Sequence, residues 1–430
     1  MRSSLVCFSL ALAASACSSS KNGAALCGMT PLCIGIPAGS SENDVQAAFV
    51  KVVDGGTIVF DKGTFNFQNG LNLASKNVTV KGQGMDITIL DFSMQRAGSE
   101  GIYVVNQDGF TIEDLTVQNT FGDAIKVEGS NGVTFQRVHV LWQSTDLPNH
   151  GAYGLYPVQC TNVLMQDCKV EGASDSGIYV GQSNEIIVRR NTAQNNVAGI
   201  EIENSHDADV FMNTATNNTA GILVFALPNL QMTTTKNVRV FNNMITNNNT
   251  QSFAAMGDIV SEVPAGVGFM VMAADSVEIF GNTITNNETS QSAIISYFVA
   301  DQKYMYKAGD PYYVYPTNVW FHDNMYSGGG DMPDQSNVLG IALSKTAFPN
   351  HVVSTILWDG IVDPARSGQG VSASNTMSLC LSNNGSATWA NLHADMMTPG
   401  MVAFDMVDFN ATPFQCMLTP LPAVNIPNAQ

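Results

Sequence analysis

The sequence has few charged residues, and few of those are basic. Charged side chains make up 13% of the 430 residues, and 18 Lys and Arg stand against 36 Asp and Glu, which gives a net charge of −18. Proteins that bind nucleic acid need a basic surface against the phosphates, so the composition argues against nucleic acid as a partner. A polyanionic substrate would need a cation or a local basic patch to offset the acidic excess.

Long apolar runs are absent as well. A short one covers residues 5–16, with Arg2 as the only early charge. It is too short for a membrane helix and predicts a signal peptide over residues 1–16. It ends in Ala-Ser-Ala-Cys17, which resembles the cleavage box of bacterial lipoproteins, with Cys17 as the lipidated residue. We therefore expect an exported cell-envelope protein, an outer-membrane or periplasmic lipoprotein that touches the membrane only through its anchor. The alternative is an ordinary secreted protein.

Cysteines are few but even in number after the two near the N-terminus, which suits an exported chain. Their positions predict two disulfides, Cys27–Cys33 and Cys380–Cys416. The pairing of Cys160 and Cys168 stays open. No spacing of Cys and His indicates a zinc site.

Short repeats are abundant. Gly-Ile-Tyr-Val, Gly-Ile-Glu-Ile and Gly-Ile-Leu-Val begin at Gly177, Gly199 and Gly221, so the period is 22 residues. Similar alternating tetrapeptides recur from about residue 57 to residue 321, and their alternation predicts short strands in a solenoid. Asparagines fall into two columns, which predict hydrogen-bonded ladders between turns: Asn191, Asn213, Asn243, Asn282 and Asn324 in one, and Asn119, Asn195, Asn217, Asn247 and Asn286 in the other.

These repeats resemble the right-handed parallel β-helix of the pectin-lyase-like superfamily. The resemblance covers roughly residues 41–345 and implies an all-β solenoid. Ser41 is predicted to begin a helix that caps its N-terminal end, because solenoids need a cover over the first turn. Residues 17–40 are expected to form the lipid-anchor tether with a small disulfide loop, and residues 346–430 a C-terminal cap.

The insertions between repeats indicate which sheet carries the function. Extra residues at 142–150, 226–236, 251–265 and 300–316 all flank the Gly-led strands. Loops that wall a rigid sheet are common places for binding sites. Alternation predicts that one row of side chains points outward from these strands: Tyr103, Lys126, Tyr156, Tyr179, Glu201 and Leu223. Four carboxylates flank the row: Asp123, Glu128, Asp175 and Glu203.

The resemblance implies that this face binds a polysaccharide. Hydrolysis needs two carboxylates, and Asp123 and Asp175 are the candidates. Elimination or epimerisation of a uronic acid needs a base and an acid. Lys126 is the candidate base or charge neutraliser, and Tyr156, Tyr179 and His150 are candidate proton donors. Glu201 and Asp175 are candidate calcium ligands, with calcium as the only cofactor considered. The predicted substrate-binding residues are Tyr103, Tyr179, Glu201, Glu203, Tyr312 and Tyr313.

Two alternatives stay open because most motifs of the related enzymes are missing. Of the polygalacturonase motifs, only partial matches remain at Asp123 and His150, and no Asp-Pro-His-Asp of mannuronan epimerases occurs. The chain is therefore also compatible with a non-catalytic module that binds a glycan or an envelope polymer. A weaker alternative is periplasmic copper handling, with four candidate ligands: His393, Met396, Met397 and Met401.

Overall fold

A computed structural model describes residues 23–396 and 402–429. The Gly-led strands stack in parallel into a sheet of eleven strands, which we call the front sheet. Their alternating Ile and Val side chains point inward and are fully buried, as at Ile178 and Val180. In chain order its strands are Asn69–Leu73, Ala97–Val105, Ile125–Glu128, Tyr153–Val158, Ser176–Gly181, Ala198–Glu203, Ala220–Phe225, Val267–Met272, Ser290–Ile295, Ile356–Trp358 and Trp389–Asn391.

Twenty further strands form two more parallel stacks, which two long strands, Thr111–Gln118 and Asn131–Leu141, join into one sheet. We call this sheet the back sheet. Each turn of the chain passes through all three stacks, and this arrangement is a parallel β-helix. The other eighteen strands are Cys33–Ile36, Thr57–Phe60, Gly63–Asn66, Thr79–Lys81, Thr88–Asp91, Thr161–Gln166, Lys169–Glu171, Asn184–Arg189, Thr192–Gln194, His206–Phe211, Thr214–Thr216, Thr235–Phe241, Met244–Thr246, Ala274–Phe280, Thr283–Thr285, Thr317–His322, Met325–Ser327 and Leu379–Ser382.

Within the described residues, three α-helices accompany the strands: Gly23–Cys27, Glu42–Lys51 and Val338–Lys345. Ser41 caps the second helix in a capping box with Asp44, as predicted, and the helix buries Val45 and Phe49 over the first turns. Among the described residues, no helix has the length and apolarity needed to cross a bilayer. Short 3₁₀ helices occupy Leu147–Asn149, Ile259–Glu262, Tyr297–Val299, Pro349–His351, Pro364–Arg366, Ala394–Met396 and Thr412–Phe414.

Buried asparagine ladders connect successive turns. The first predicted column is such a ladder, and in it the Asn213 amide accepts from Asn191 and donates to Asn243. The second column was predicted one residue too early. The inward residues are Asn196, Asn218, Asn248 and Asn287. The predicted members, such as Asn217 with φ of 56°, instead occupy the left-handed turn position that Asn tolerates better than most residues.

The sheets extend beyond the predicted limits of residues 41 and 345. Cys33–Ile36 already pairs with the strand Thr57–Phe60, and the front sheet ends at Trp389–Asn391. On the C-terminal side the register was missed because insertions interrupt the period. Disulfides join Cys27 to Cys33 and Cys380 to Cys416, the two expected pairs. Cys160 and Cys168 are free and buried. The predicted signal peptide and Cys17 lie outside the described residues.

The C-terminal segment runs back across the outside of the back sheet. The backbone N–H of Leu421 donates to Glu278, that of Val424 to Asp209, and the Ala429 carbonyl accepts from Arg189. Ile426 packs on two outward side chains of this sheet, Leu164 and Ile187. The segment therefore covers several turns of the back sheet, and these contacts do not involve the front sheet.

Candidate functional site

The predicted outward row exists and follows the register of the front sheet. Tyr103 pairs with Lys126, Lys126 with Tyr156, Tyr179 with Glu201, and Glu201 with Leu223. The row continues through Met270, Ala293 and Leu357. Neighbouring strands are about 4.8 Å apart, so the row forms a continuous floor along the solenoid axis.

Three tyrosines form a compact cluster on this floor. The ring centroids of Tyr153 and Tyr156 are 4.6 Å apart, those of Tyr153 and Tyr179 are also 4.6 Å apart, and Tyr156 meets Tyr179 edge-on at 4.9 Å. Tyr153 and Tyr156 remain partly exposed, whereas Tyr179 is buried. The Tyr153 hydroxyl donates to Asp175 Oδ2 at 3.1 Å, and the Tyr179 hydroxyl hydrogen-bonds Glu203. Flat rings with polar edges are suited to contact with sugar rings.

Four carboxyl groups surround the tyrosines and hold their protons unusually tightly. Burial raises the pKa of Asp123 to about 6, although a hydrogen bond from the Tyr153 backbone N–H opposes the shift. Burial, with the neighbouring acids, raises the pKa of Asp175 to about 7. Burial also raises the pKa of Glu201 and Glu203. Shifted carboxyl pKa values that concentrate in one cleft are typical of functional sites.

Lys126 is engaged rather than free. Its Nζ lies 3.5 Å from Glu128 Oε2 and 5.1 and 5.5 Å from the ring centroids of Tyr156 and Tyr103. The Tyr103 hydroxyl also donates to Glu128, at 2.8 Å, and burial with this bond raises the Tyr103 pKa to about 12. Lys126, Glu128 and the two tyrosine rings therefore provide a flat polar surface at the N-terminal end of the floor.

The floor is open at one end and covered at the other. Asn72 is exposed and Tyr103 and Lys126 are partly exposed, whereas Glu201, Leu223 and Met270 are at most 7% exposed although they point outward. Residues in or next to the insertions contribute buried apolar side chains to the same cluster as Leu223 and Met270: Phe253, Val260, Tyr297 and Tyr312. We call the surface from Tyr103 to Glu201 the groove, and its end at Glu201 the closed end.

Three predicted site residues lie outside the groove. The ring of His150 is buried with both nitrogens near backbone carbonyls, those of Gly172 at 2.6 Å and Ser144 at 3.1 Å, so it anchors its loop and is a poor candidate proton donor. Tyr312 donates to the Ala226 carbonyl from a buried position in the covering loops. Tyr313 donates to Asp363. Neither tyrosine contributes to the floor, because the long loop that carries them folds down against the protein.

One groove residue, Tyr153, was missed from the sequence. Strict alternation with Leu155 would turn it inward, but it stands at the first position of its strand, where the chain leaves the corner, and its ring meets the outward tyrosines. The sequence did offer a signal for Tyr153. It lies directly before Gly154, and this is the strand position that the candidate site residue Asp123 occupies one turn earlier.

No metal centre is formed within residues 23–396 and 402–429, because no group of three or more His, Cys, Asp or Glu is positioned to hold an ion. Calcium therefore stays a prediction. Of the candidate copper ligands, His393 lies near Asp395 and Met396 is half exposed. Met397 and Met401 lie outside the described residues.

Comparisons with known proteins agree on the fold. Residues 76–229 match a family model described as a right-handed beta helix region, which is less than half of the chain. No curated protein matches the sequence. Together with the parallel stacking, the match makes the chain a right-handed parallel β-helix and confirms the fold predicted from the repeats.

Several solved structures are distantly similar. The A-module of a mannuronan C-5 epimerase from Azotobacter vinelandii is 17% identical, with 74% of this chain and 90% of that chain covered and a TM-score of 0.48. An exopolygalacturonase from Thermotoga maritima is 10% identical, with 74% and 81% covered and a TM-score of 0.43. The catalytic unit of an α-1,3-glucanase from Streptomyces thermodiastaticus is 14% identical, with 76% and 51% covered and a TM-score of 0.43.

Proposed function

We propose that the groove binds a glycan without carboxylate groups, and that Asp175 and Asp123 hydrolyse its glycosidic bond with inversion. The observation that carries the proposal is a pair of carboxyl groups bridged by Tyr153, with pKa values raised to about 7 and about 6. Between these values one carboxyl group is protonated and the other ionised, which is the state that acid–base hydrolysis needs.

The roles follow from the surroundings of each group. Asp175 is the more buried and keeps its proton to higher pH, so it donates that proton to the leaving glycosidic oxygen. Asp123 is partly exposed and takes a proton from the water that attacks the anomeric carbon. The two residues are two strands apart along the axis, about 9–10 Å, near the upper limit for inverting glycosidases.

Charge favours a glycan without carboxylates over a polyuronate. Lys126 is the only base in the outward row, and Glu128 already pairs with it. Asp175, Glu201 and Glu203 offer a uronate no positive partner, and any of them that loses its proton would repel it. Lyase or epimerase chemistry would therefore need an added cation, and the experiment below includes calcium for this reason.

A non-catalytic glycan-binding module is the second candidate. It is favoured by the burial of Asp175 and Glu201, at 7% and 2% exposure, beside tyrosines that remain reachable. In such a module the carboxyl groups would accept hydrogen bonds from sugar hydroxyls and transfer no proton.

The test is a panel of neutral, amino and uronate polysaccharides, each incubated with and without calcium and assayed for new reducing ends. We expect cleavage of a carboxylate-free glycan, lost in Asp175→Asn and Asp123→Asn and kept in the exposed control Asp405→Asn. Binding without cleavage would favour the module. Unsaturated ends from a uronate, or cleavage that survives both substitutions, would overturn the proposal.

We also propose that the chain is exported and held at the bacterial envelope through lipidated Cys17, on the sequence resemblance alone. Metabolic labelling with a fatty acid tests this. The wild type should take up label and fractionate with membranes, and Cys17→Ala should do neither. A wild-type protein without label would refute the anchor and leave the groove proposal untouched.

A further inference from the structure

The closed end of the groove contains a carboxyl oxygen that has nothing to bind. Glu201 is 2% exposed and its Oε1 lacks any hydrogen-bond partner. Leaving a buried polar atom unpaired costs about 1–3 kcal/mol, and more for a charged group. Such an atom at a groove end calls for a ligand that supplies the missing donor.

The groups around this oxygen are acidic or aromatic. Tyr179 and Leu223 flank Glu201 in the register, and Asp175 and Glu203 act on it electrostatically. The Tyr179 ring packs at a tilt against the Tyr153 ring, with centroids 4.6 Å apart, beside these acids. Acidic and aromatic groups together suit a cation, because carboxyl oxygens accept its N–H bonds, its charge favours their ionised form, and the ring faces attract positive charge.

The shape of the groove determines which part of a ligand reaches this point. Leu223 and Met270 continue the floor beyond Glu201, but both are buried under the insertions. The floor becomes buried at Tyr179 and Glu201, so a linear chain that enters over Tyr103 ends at these two residues. The ligand part that meets the unpaired oxygen is the chain end.

We propose that the closed end is a subsite for a primary ammonium group on the terminal sugar, so that the ligand is an amino glycan that ends in an unacetylated hexosamine. The proposal rests on the proposed function, because the ammonium group sits at the end of the same groove. Three N–H donors on a compact cation match Glu201 Oε1 and the adjacent carboxyl groups. An acetylated amine loses the charge and adds bulk where the site is closed.

The test is a matched pair of ligands: tetrasaccharides of glucosamine and of N-acetylglucosamine, titrated calorimetrically into the wild-type protein. After each titration, the tetrasaccharide in the calorimeter cell is checked for cleavage. A buried charge-assisted hydrogen bond corresponds to about 10- to 100-fold in affinity. We expect the glucosamine tetramer to bind tighter by that factor. Glu201→Gln should remove the preference. Glu185→Gln, on the back sheet of the same turn, should keep it.

Each outcome decides something different. Equal binding of both tetramers, or preference for the acetylated one, overturns the ammonium subsite while the glycan groove stands. A glucosamine preference that survives Glu201→Gln overturns the assignment to the closed end. Failure of both tetramers and of every polysaccharide in the panel overturns the subsite and the proposed function together.

Discussion

Asp175→Asn is expected to stabilise the protein at alkaline pH while it abolishes hydrolysis. The Asp175 pKa is raised from 3.8 to about 7, mainly by burial, so deprotonation costs more in the folded than in the unfolded chain. A carboxyl group with a raised folded pKa favours folding below its unfolded pKa, and this contribution is lost as pH rises through the folded value. Asparagine has no charge to bury and can still accept the Tyr153 hydrogen bond.

The size of the effect follows from the shift. A rise of about three pKa units corresponds to about 4 kcal/mol, at about 1.4 kcal/mol per unit. The group is 7% exposed, so solvent screening reduces this little. The free energy of unfolding of Asp175→Asn should therefore exceed that of the wild type by up to about 4 kcal/mol at pH 8, and the gain should shrink to near zero at pH 4.

Urea unfolding of both proteins at intervals from pH 4 to pH 8.5 measures this difference. Asp405→Asn, which replaces an exposed aspartate, is the control and should show no comparable gain. A difference between wild type and Asp175→Asn that does not change with pH would refute the reasoning. So would a gain that appears at low pH and disappears at high pH.

Three further predictions concern the pair, the ladders and the C-terminal segment. Hydrolysis should be fastest near pH 6.5, because Asp123 sets the acid limb of the rate profile and Asp175 the alkaline limb. The rate should fall about 20-fold two pH units away on either side. A rate that does not change with pH would exclude the pair. Asn218→Ala removes four hydrogen bonds and should lower the free energy of unfolding in urea by about 3–5 kcal/mol. Asn217→Gly, at the adjacent turn position, should lower it little. Equal losses in the two variants would contradict the ladder. Cys380→Ser opens a 36-residue disulfide loop and should lower the free energy of unfolding by about 4 kcal/mol. It should also speed proteolysis of the C-terminal segment. A digest that does not change would contradict the anchoring of this segment by the disulfide.

The regular part of the fold was predictable because its signals are local and repeat. Alternation identified the inward Ile178 and Val180, and the same alternation placed Tyr179 and Glu201 outward. Ser41 carries a capping signal that depends only on its neighbours. A period alone does not determine which residue of a turn points inward, however. The second asparagine ladder was therefore assigned one residue early.

The site was harder to predict where the repeat is interrupted. The fold of the loop around His150 depends on contacts with neighbouring turns, which a period cannot supply. The loop with Tyr312 folds onto the sheet and closes the groove, an outcome that its tyrosine-rich composition does not indicate. Tyr153 stands at a corner, where alternation no longer gives the side-chain direction. Alternation thus gave the side-chain direction within regular strands, but it did not give the positions of residues on insertions or at a corner.

The most direct test of the glycosidase proposal is to follow an unacetylated glucosamine oligosaccharide by proton NMR as the protein acts on it. The account predicts new reducing ends whose first-formed anomer is inverted relative to the cleaved linkage, because water attacks opposite the leaving group. The signal should be absent with Asp175→Asn. Retained configuration, unsaturated ends, or binding with no cleavage of this or any other carboxylate-free glycan would contradict the assignment of Asp175 and Asp123 as an inverting pair.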